Sequence, residues 1–204
     1  MFYNELFALL VEAYFEMLIS SYLQIRAPLR TANGEVTSIG FGYITIFFIM
    51  VFLPIAMIWL LFQPRSNLED KKFQESWIDL YRGMKTHSKW QSAYFLVFIL
   101  RRIIYVAIAF EIFSDDYSQI MTMSFLNMAW MLYLGGSWPH QARKSNIIDM
   151  INEAFIIVIF LHLLMFTDWV PDQDMQYLMG WSCNGFLCLM IAFNLFFVFQ
   201  TGGY

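Results

Sequence analysis

The chain has 204 residues, of which 59% are hydrophobic, 20% aromatic and 14% charged, and its formal net charge at pH 7 is −4. A soluble domain carries about 25% charged residues, so this composition is typical of a protein in a lipid bilayer. The small negative charge argues against nucleic acid as a partner. Cys183 and Cys188 lie in one apolar segment, where a helix would place them on different faces, so we expect no disulfide between them.

Apolar segments long enough to cross a bilayer recur along the chain, since about 20 residues are needed at a rise of 1.5 Å each. We therefore predict an all-α fold, a polytopic membrane bundle of about six transmembrane helices, as a single domain over residues 1–204. Pro54, inside the second span, predicts a kink. The predicted spans are 5–25, 38–62, 92–113, 117–136, 147–167 and 177–200.

The first 25 residues lack the basic segment of a secretory signal. Either the first span acts as its own insertion signal, or the sequence is a fragment of a longer protein. The expected location is an integral position in the plasma membrane or an endomembrane.

Lysine and arginine are distributed unevenly among the predicted loops. The loops at 63–91 and between the fourth and fifth spans carry eight lysines and arginines, whereas the first loop carries two, Arg26 and Arg30, and the third and fifth loops carry none. The positive-inside rule therefore places the basic loops and both termini in the cytoplasm. The third and fifth loops are acidic, with Asp115, Asp116, Asp168, Asp172 and Asp174.

The loop at 63–91 contains a further predicted helix. Its apolar residues recur at three- and four-residue spacing, which is the pattern of an amphipathic helix. This helix either lies along the inner membrane surface or packs on the bundle as a connector. Its apolar positions are Leu68, Phe73, Trp77, Leu80, Tyr81 and Met84.

Acidic residues line one face of the first span, where Glu5, Glu12 and Glu16 are separated by seven and four residues. An acidic stripe facing lipid is costly, so this face should meet protein or water. Three interpretations stay open: an amphipathic helix at the membrane edge, a buried pairing with an arginine, and the acidic wall of a cation pathway.

Two adjacent arginines, Arg101 and Arg102, lie in the middle of the third span. A charge at the centre of a membrane helix costs about 2.5–3.5 kcal/mol on insertion scales, so each arginine needs a partner. Adjacent residues point about 100° apart, so the two need separate partners. We expect a structural clamp between helices; the alternative is contact with a lipid headgroup or ligand. The candidate carboxylates are Glu12, Glu16, Asp149 and Glu153.

The fifth span carries Asp149 and Glu153, four residues apart on one face, and His162 nine residues further on, which we interpret as sharing that face. Such a helix could host cations or relay protons. We favour the simpler alternative, in which Glu153 pairs with an arginine and His162 bonds a backbone carbonyl.

No enzyme motif or cofactor site is predicted. The histidines lack the spacing of metal ligands, and the sequence has neither a nucleophile elbow nor a phosphate-binding loop. The acidic outer loops lack the order of a calcium loop but could concentrate cations through weak electrostatics.

Several short segments between Phe73 and Phe199 follow one another in a characteristic order and spacing. They are Phe73 to Lys85, Leu100 to Tyr105, Ser118 to Ile120, Asn146 to Glu153, Phe166 to Val170, Gly180-Trp181 and Asn194-Leu195. In this order they resemble the C-terminal transmembrane region of TRP-like proteins. That group includes the fungal flavin-carrier and polycystin-like family and large cysteine-rich surface proteins of ciliates.

The resemblance implies a membrane domain that normally follows a large extracytoplasmic region, and a loose relation to cation channels. We therefore expect a cation channel or transporter with Glu12, Glu16, Arg101, Arg102, Glu153 and His162 in the bundle interior. The alternative is a non-conducting membrane anchor or scaffold for a surface protein or complex, and a lipid or small-molecule carrier is a third class. The expected partners are the lipid bilayer, a cation, and further copies or a larger membrane complex.

Overall fold

The computed structural model describes residues 13–26, 35–64, 83–85, 87–112 and 114–201, with the side chains of 35–39, 49–50 and 201 outside that description. Every regular element in these ranges is helical, which confirms the all-α fold class. The α-helices are α1 (Tyr14–Arg26), α2 (Glu35–Phe47), α3 (Leu53–Leu61), α4 (Lys89–Ser92), α5 (Tyr94–Ala107), α6 (Asp116–Ser137), α7 (Arg143–Leu164) and α8 (Gln173–Thr201). Two π-helical turns, Phe48–Phe52 and Ile108–Ile112, follow α2 and α5.

Helix α2, the first π-helical turn and α3 form one unbroken helical segment from Glu35 to Leu61. Pro54 has no N–H and its ring clashes with the carbonyl of Met50, four residues earlier, so a regular α-helix cannot pass through it undisturbed. The distortion expected at Pro54 takes the form of the wider π-helical turn Phe48–Phe52, which contains that carbonyl. The whole segment is about 40 Å long, enough to cross a hydrocarbon core of about 30 Å.

The chain divides into two compact units, Met1–Ala107 and Ile108–Tyr204. In the first unit, α1 lies against α2 and α5, and α3 lies against α5. Gly42 allows α2 to approach α1 closely, because a Cβ there would lie 3.0 Å from Ile25 Cγ1 and 3.2 Å from the carbonyl oxygen of Ser21. The buried core of this unit contains Tyr14, Leu18, Leu53, Met57, Leu60, Ile99 and Val106.

In the second unit, α7 is the middle helix and lies against both α6 and α8. Helix α6 begins after Asp115, whose carboxylate accepts a hydrogen bond from the Ser118 N–H at 2.9 Å. Hydrogen bonds from Ser118 hold the pKa of the Asp115 carboxyl below its usual value. The helix ends at Trp138, which takes a left-handed conformation (φ 45°) and donates its N–H to the Leu134 carbonyl at 3.0 Å. These caps define both ends of α6.

Two of the described helices are long and apolar enough to cross a membrane: α7 over Arg143–Leu164 and α8 over Gln173–Gln200. Only 11% of the apolar window in α7 and 6% of that in α8 is buried, whereas the core helix of a soluble protein is mostly buried. They correspond to the fifth and sixth predicted spans. Helix α6 corresponds to the fourth but does not reach the same apolarity. The bundle of six transmembrane helices therefore stays a prediction.

The predicted amphipathic helix of the loop at 63–91 falls largely on residues 65–82, outside the described residues, as does Glu12. The two cysteines are described: Cys183 is buried, Cys188 is exposed, and both are free thiols. Their different exposure confirms that they lie on different faces of α8.

Candidate functional site

A reciprocal pair of carboxamide hydrogen bonds joins α7 to α8. Asn152 Nδ2 donates to Asn194 Oδ1 at 3.0 Å, and Asn194 Nδ2 donates to Asn152 Oδ1 at 2.8 Å. Asn194 Nδ2 also donates to the carbonyl of Met190, one turn earlier on α8, at 2.9 Å. Because both side chains lie in largely apolar helices, this pair determines which residues of α7 and α8 lie opposite each other.

A second polar contact joins the same two helices further along α7. His162 Nδ1 lies 2.8 Å from the carbonyl oxygen of Val158, and His162 Nε2 lies 3.0 Å from Ser182 Oγ. Because a carbonyl oxygen only accepts, we assign the proton of the neutral ring to Nδ1, and Nε2 then accepts from the Ser182 hydroxyl. The predicted bond from His162 to a backbone carbonyl is therefore confirmed, and Ser182 is an additional partner.

Asp149 meets a histidine at the turn between α6 and α7. Its Oδ2 lies 2.6 Å from His140 Nε2. Asn146, only 1% exposed, holds the backbone of this turn. Its Oδ1 accepts from the His140 N–H at 3.0 Å, and its Nδ2 donates to the carbonyls of His140 and Ala142 at 2.9 and 3.2 Å. Asn146 thereby fixes the position from which His140 reaches Asp149.

Glu153 is buried, with 7% of its surface exposed. Met150 lies three residues before Glu153 and therefore on a neighbouring part of the α7 surface. Its side chain reaches α6, because its Cε lies 3.7 Å from the position that a Cβ on Gly135 would take. His162 instead contacts α8. The interpretation that Glu153 and His162 share a face was wrong, because nine residues at 100° each place them half a turn apart. Glu153 and His162 therefore lie on opposite sides of α7, and the side of His162 faces α8.

The two arginines of α5 lie against aromatic rings. Arg101 is buried at 9% exposed, and its guanidinium lies 5.6 Å from the centre of the Tyr105 ring. Arg102 lies 4.0 Å above the ring of Phe98 and 5.7 Å from that of Phe15, on α1. Cation–π contacts of this kind stabilise by about 0.5–2 kcal/mol, depending on desolvation. The contact with Phe15 is consistent with a clamp between α5 and α1.

The carboxylate partners predicted for the arginines stay a prediction. Glu16, one of the candidates, is exposed on α1. Carboxylates are the partners expected for a guanidinium because they neutralise its charge, and the aromatic rings that Arg101 and Arg102 contact were not predicted. A residue four positions away is a neighbour on a helix, so Phe98 and Tyr105 could have been identified from their spacing to the arginines.

Three acidic side chains from the predicted outer loops border one open cavity of about 560 Å³: Asp115, Asp116 and Asp168. The rings of Tyr117 and Trp169 line it too and meet edge to face, with their centres 4.8 Å apart. Asp172 and Asp174 do not line this cavity; Asp172 Oδ1 accepts from the Asp174 N–H at 3.0 Å, at the start of α8. Among the described residues, no group of three or more His, Cys, Asp or Glu side chains could hold a metal ion.

Sequence reasoning did not identify His140, Ser182 or Asn194 as contact residues. Asn194 belongs to one of the segments that resemble TRP-like proteins, but its contact with Asn152 was not predicted. A carboxamide in an apolar helix is a signal for an interhelical hydrogen bond. Ser182 carries no such signal, because a serine hydroxyl in a helix usually bonds the carbonyl one turn earlier. His140 has no metal-ligand spacing to the other histidines, and its contact with Asp149 depends on the turn between α6 and α7.

None of the protein-family models, curated proteins or solved structures compared with the chain matches it. The class of the protein therefore follows from its own geometry. It is an all-α protein in which two long apolar helices are joined by polar side chains. The resemblance to TRP-like proteins stays a prediction.

Proposed function

We propose that the chain is an integral membrane domain that acts as a non-conducting anchor or scaffold for a surface protein or membrane complex. The observation that carries this proposal is the reciprocal Asn152–Asn194 pair between α7 and α8. An anchor needs helices held in a fixed arrangement, and interhelical hydrogen bonds are one of the interactions that hold helices together where lipid removes the hydrophobic driving force.

Two further contacts support this function. His162 binds Ser182 of α8, and Arg102 lies against Phe15 of α1, so polar groups of the predicted spans act between helices. The proposed anchor has the expected bundle of six transmembrane helices, with both termini and the loop at 63–91 in the cytoplasm. It is related to the TRP-like transmembrane region.

The test has two steps on the full chain. Membranes containing the protein are first washed at alkaline pH, where an integral protein stays in the membrane and a peripheral protein is released. The purified chain is then reconstituted in liposomes and cation flux is measured, with Glu16→Gln and Glu153→Gln as variants. Impermeable liposomes around well-folded protein support the anchor. Flux that falls in either folded variant contradicts it.

A second candidate function is cation conduction or transport, which the acidic cavity favours. Asp115, Asp116 and Asp168 border it without a basic side chain in its lining, so cations would concentrate there. In the flux assay, replacing these three aspartates with asparagine should lower flux if the cavity is an entrance. Asp172→Asn is the matched control, because Asp172 lies outside the cavity lining.

A further inference from the structure

More than half of the circumference of α8 is exposed, and one line of exposed residues on the side away from α7 contains Asn184. Its residues follow one another at alternating intervals of four and three, as residues on one side of a helix do, so a second helix lying along α8 would contact all of them. We call this line the α8 seam. It consists of Tyr177, Trp181, Asn184, Cys188, Ile191 and Leu195, all of which are exposed.

Asn184 is the one carboxamide of this seam. Its side chain makes no hydrogen bond to any of the described residues, whereas Asn194 on the same helix bonds both Asn152 and the Met190 carbonyl. A carboxamide exposed to hydrocarbon has no water to bond, so it is unfavourable unless another group meets it.

The position of Asn184 along α8 places it inside the hydrocarbon core. The segment Gln173–Gln200 is about 40 Å long, and Asn184 lies about 16 Å from its start. For every placement of a core of about 30 Å within this segment, Asn184 lies inside the core, roughly 4 to 15 Å from its nearer boundary. The position therefore points to a hydrogen-bonding partner within the membrane.

We propose that a second copy of this chain covers the α8 seam and that the Asn184 carboxamides of the two copies bond each other. Copies inserted with the same topology form a parallel pair around a two-fold axis, so each seam residue meets its own counterpart. A carboxamide both donates and accepts and is therefore complementary to itself, as the Asn152–Asn194 pair shows within the chain.

The surface beside Asn184 also fits a second helix. A cavity of about 510 Å³ opens there, lined by Phe166, Tyr177, Gly180, Trp181 and Asn184 together with two glutamines. Aromatic side chains of the other copy have room to enter it. A single buried asparagine in such a seam selects register and oligomeric state, so the pairing would give the anchor one defined dimer.

This inference rests on the proposed membrane integration, and its test separates the two. The full chain, labelled with donor or acceptor fluorophores, is reconstituted in phosphatidylcholine liposomes at a series of protein-to-lipid ratios. We expect concentration-dependent energy transfer in the native chain and an about tenfold or greater rise in the dimer dissociation constant for Asn184→Leu. Asn184→Gln, which keeps the carboxamide, should restore part of the affinity.

Native cysteines provide an independent readout. Mild oxidation should link the exposed Cys188 of two copies, one turn beyond Asn184, and Cys188→Ser should abolish this product while Cys183→Ser does not. Asn194→Leu is the matched control for the substitution, because its partner Asn152 lies in the same chain; it should lower stability more than association.

Three results would overturn the proposal. The first is a chain that resists alkaline extraction yet shows neither energy transfer nor the Cys188 product, which leaves the anchor function intact. The second is equal association of the native and Asn184→Leu chains. The third is an Asn184→Leu chain whose thermal stability falls while its association is unchanged, which would place the partner of Asn184 within the same chain.

Discussion

The Asn152–Asn194 pair predicts an unusual order of stability among three variants: Asn194→Leu, Asn152→Leu and the double replacement. Interhelical hydrogen bonds in membranes contribute about 0.6 kcal/mol on average and up to about 1.7 kcal/mol, so the two reciprocal bonds contribute about 1–3 kcal/mol. A polar group left without a partner costs about 1–3 kcal/mol more, whereas replacing both partners with apolar groups can be nearly neutral. The double variant should therefore be more stable than either single variant.

The two single variants should also differ. Asn194→Leu leaves the whole Asn152 carboxamide without its partner, whereas in Asn152→Leu the Asn194 amide keeps its bond to the Met190 carbonyl. We expect losses in the free energy of unfolding of about 2–6 kcal/mol for Asn194→Leu, a smaller loss for Asn152→Leu and about 1 kcal/mol or less for the double variant.

The assay is reversible unfolding of the full chain in mild detergent, with the four proteins of a double-mutant cycle measured together. Asn184→Leu under dilute, monomeric conditions is the control: the same substitution on the outward side of α8 should change stability by no more than about 0.5 kcal/mol. If the effects of the two single variants simply add in the double variant, the side chains do not interact and the reasoning fails.

Three further predictions follow from the second unit. Asn146→Leu removes three hydrogen bonds that hold the turn before α7 and should lower the free energy of unfolding by about 3 kcal/mol, measured by thermal unfolding; a loss below about 1 kcal/mol would show that these bonds do not stabilise the turn. The lowered pKa of the Asp115 carboxyl means that its stabilising effect is present above the ordinary value of 3.8 and is lost as the pH falls through the lowered value. Asp115→Asn also caps a helix but does not titrate, so it should lose less stability than the native chain between about pH 6 and pH 2; equal losses would refute this. In a cysteine-free background, Lys144→Cys should react with a membrane-impermeant thiol reagent only from the cytoplasmic side and Asp172→Cys only from the opposite side, and labelling of both from one side would show that α7 does not cross.

Hydropathy predicted the two long apolar helices, α7 and α8, well but not their ends. The fifth span was expected at 147–167, whereas α7 runs from Arg143 to Leu164, and the sixth was expected at 177–200, whereas α8 runs from Gln173 to Thr201. The difference arises because an apolar window marks where lipid would lie, while a helix continues through polar residues such as Arg143, Lys144 and Gln173. Backbone hydrogen bonding, not hydropathy, defines the termini.

The contacts of the candidate site were harder to predict than its residues. Asp149, Glu153 and His162 were identified from one helix, but the partners of Asp149 and His162 lie on the turn before it and on the next helix. Helical arithmetic alone would have separated His162 from Glu153, since nine residues make two and a half turns. No arithmetic within one helix identifies Asn194 as the partner of Asn152, because their contact depends on how two helices pack.

Two asparagines with similar surroundings in the sequence have different surroundings in the structure. Asn152 and Asn184 are chemically identical and both lie in long apolar helices, so the sequence predicts for each only that something must meet its carboxamide. In the structure, Asn152 is met by Asn194 within the chain, and Asn184 faces outward on the α8 seam. The first therefore contributes to the fold of one copy. The second is the position at which association between copies can be tested with a single substitution.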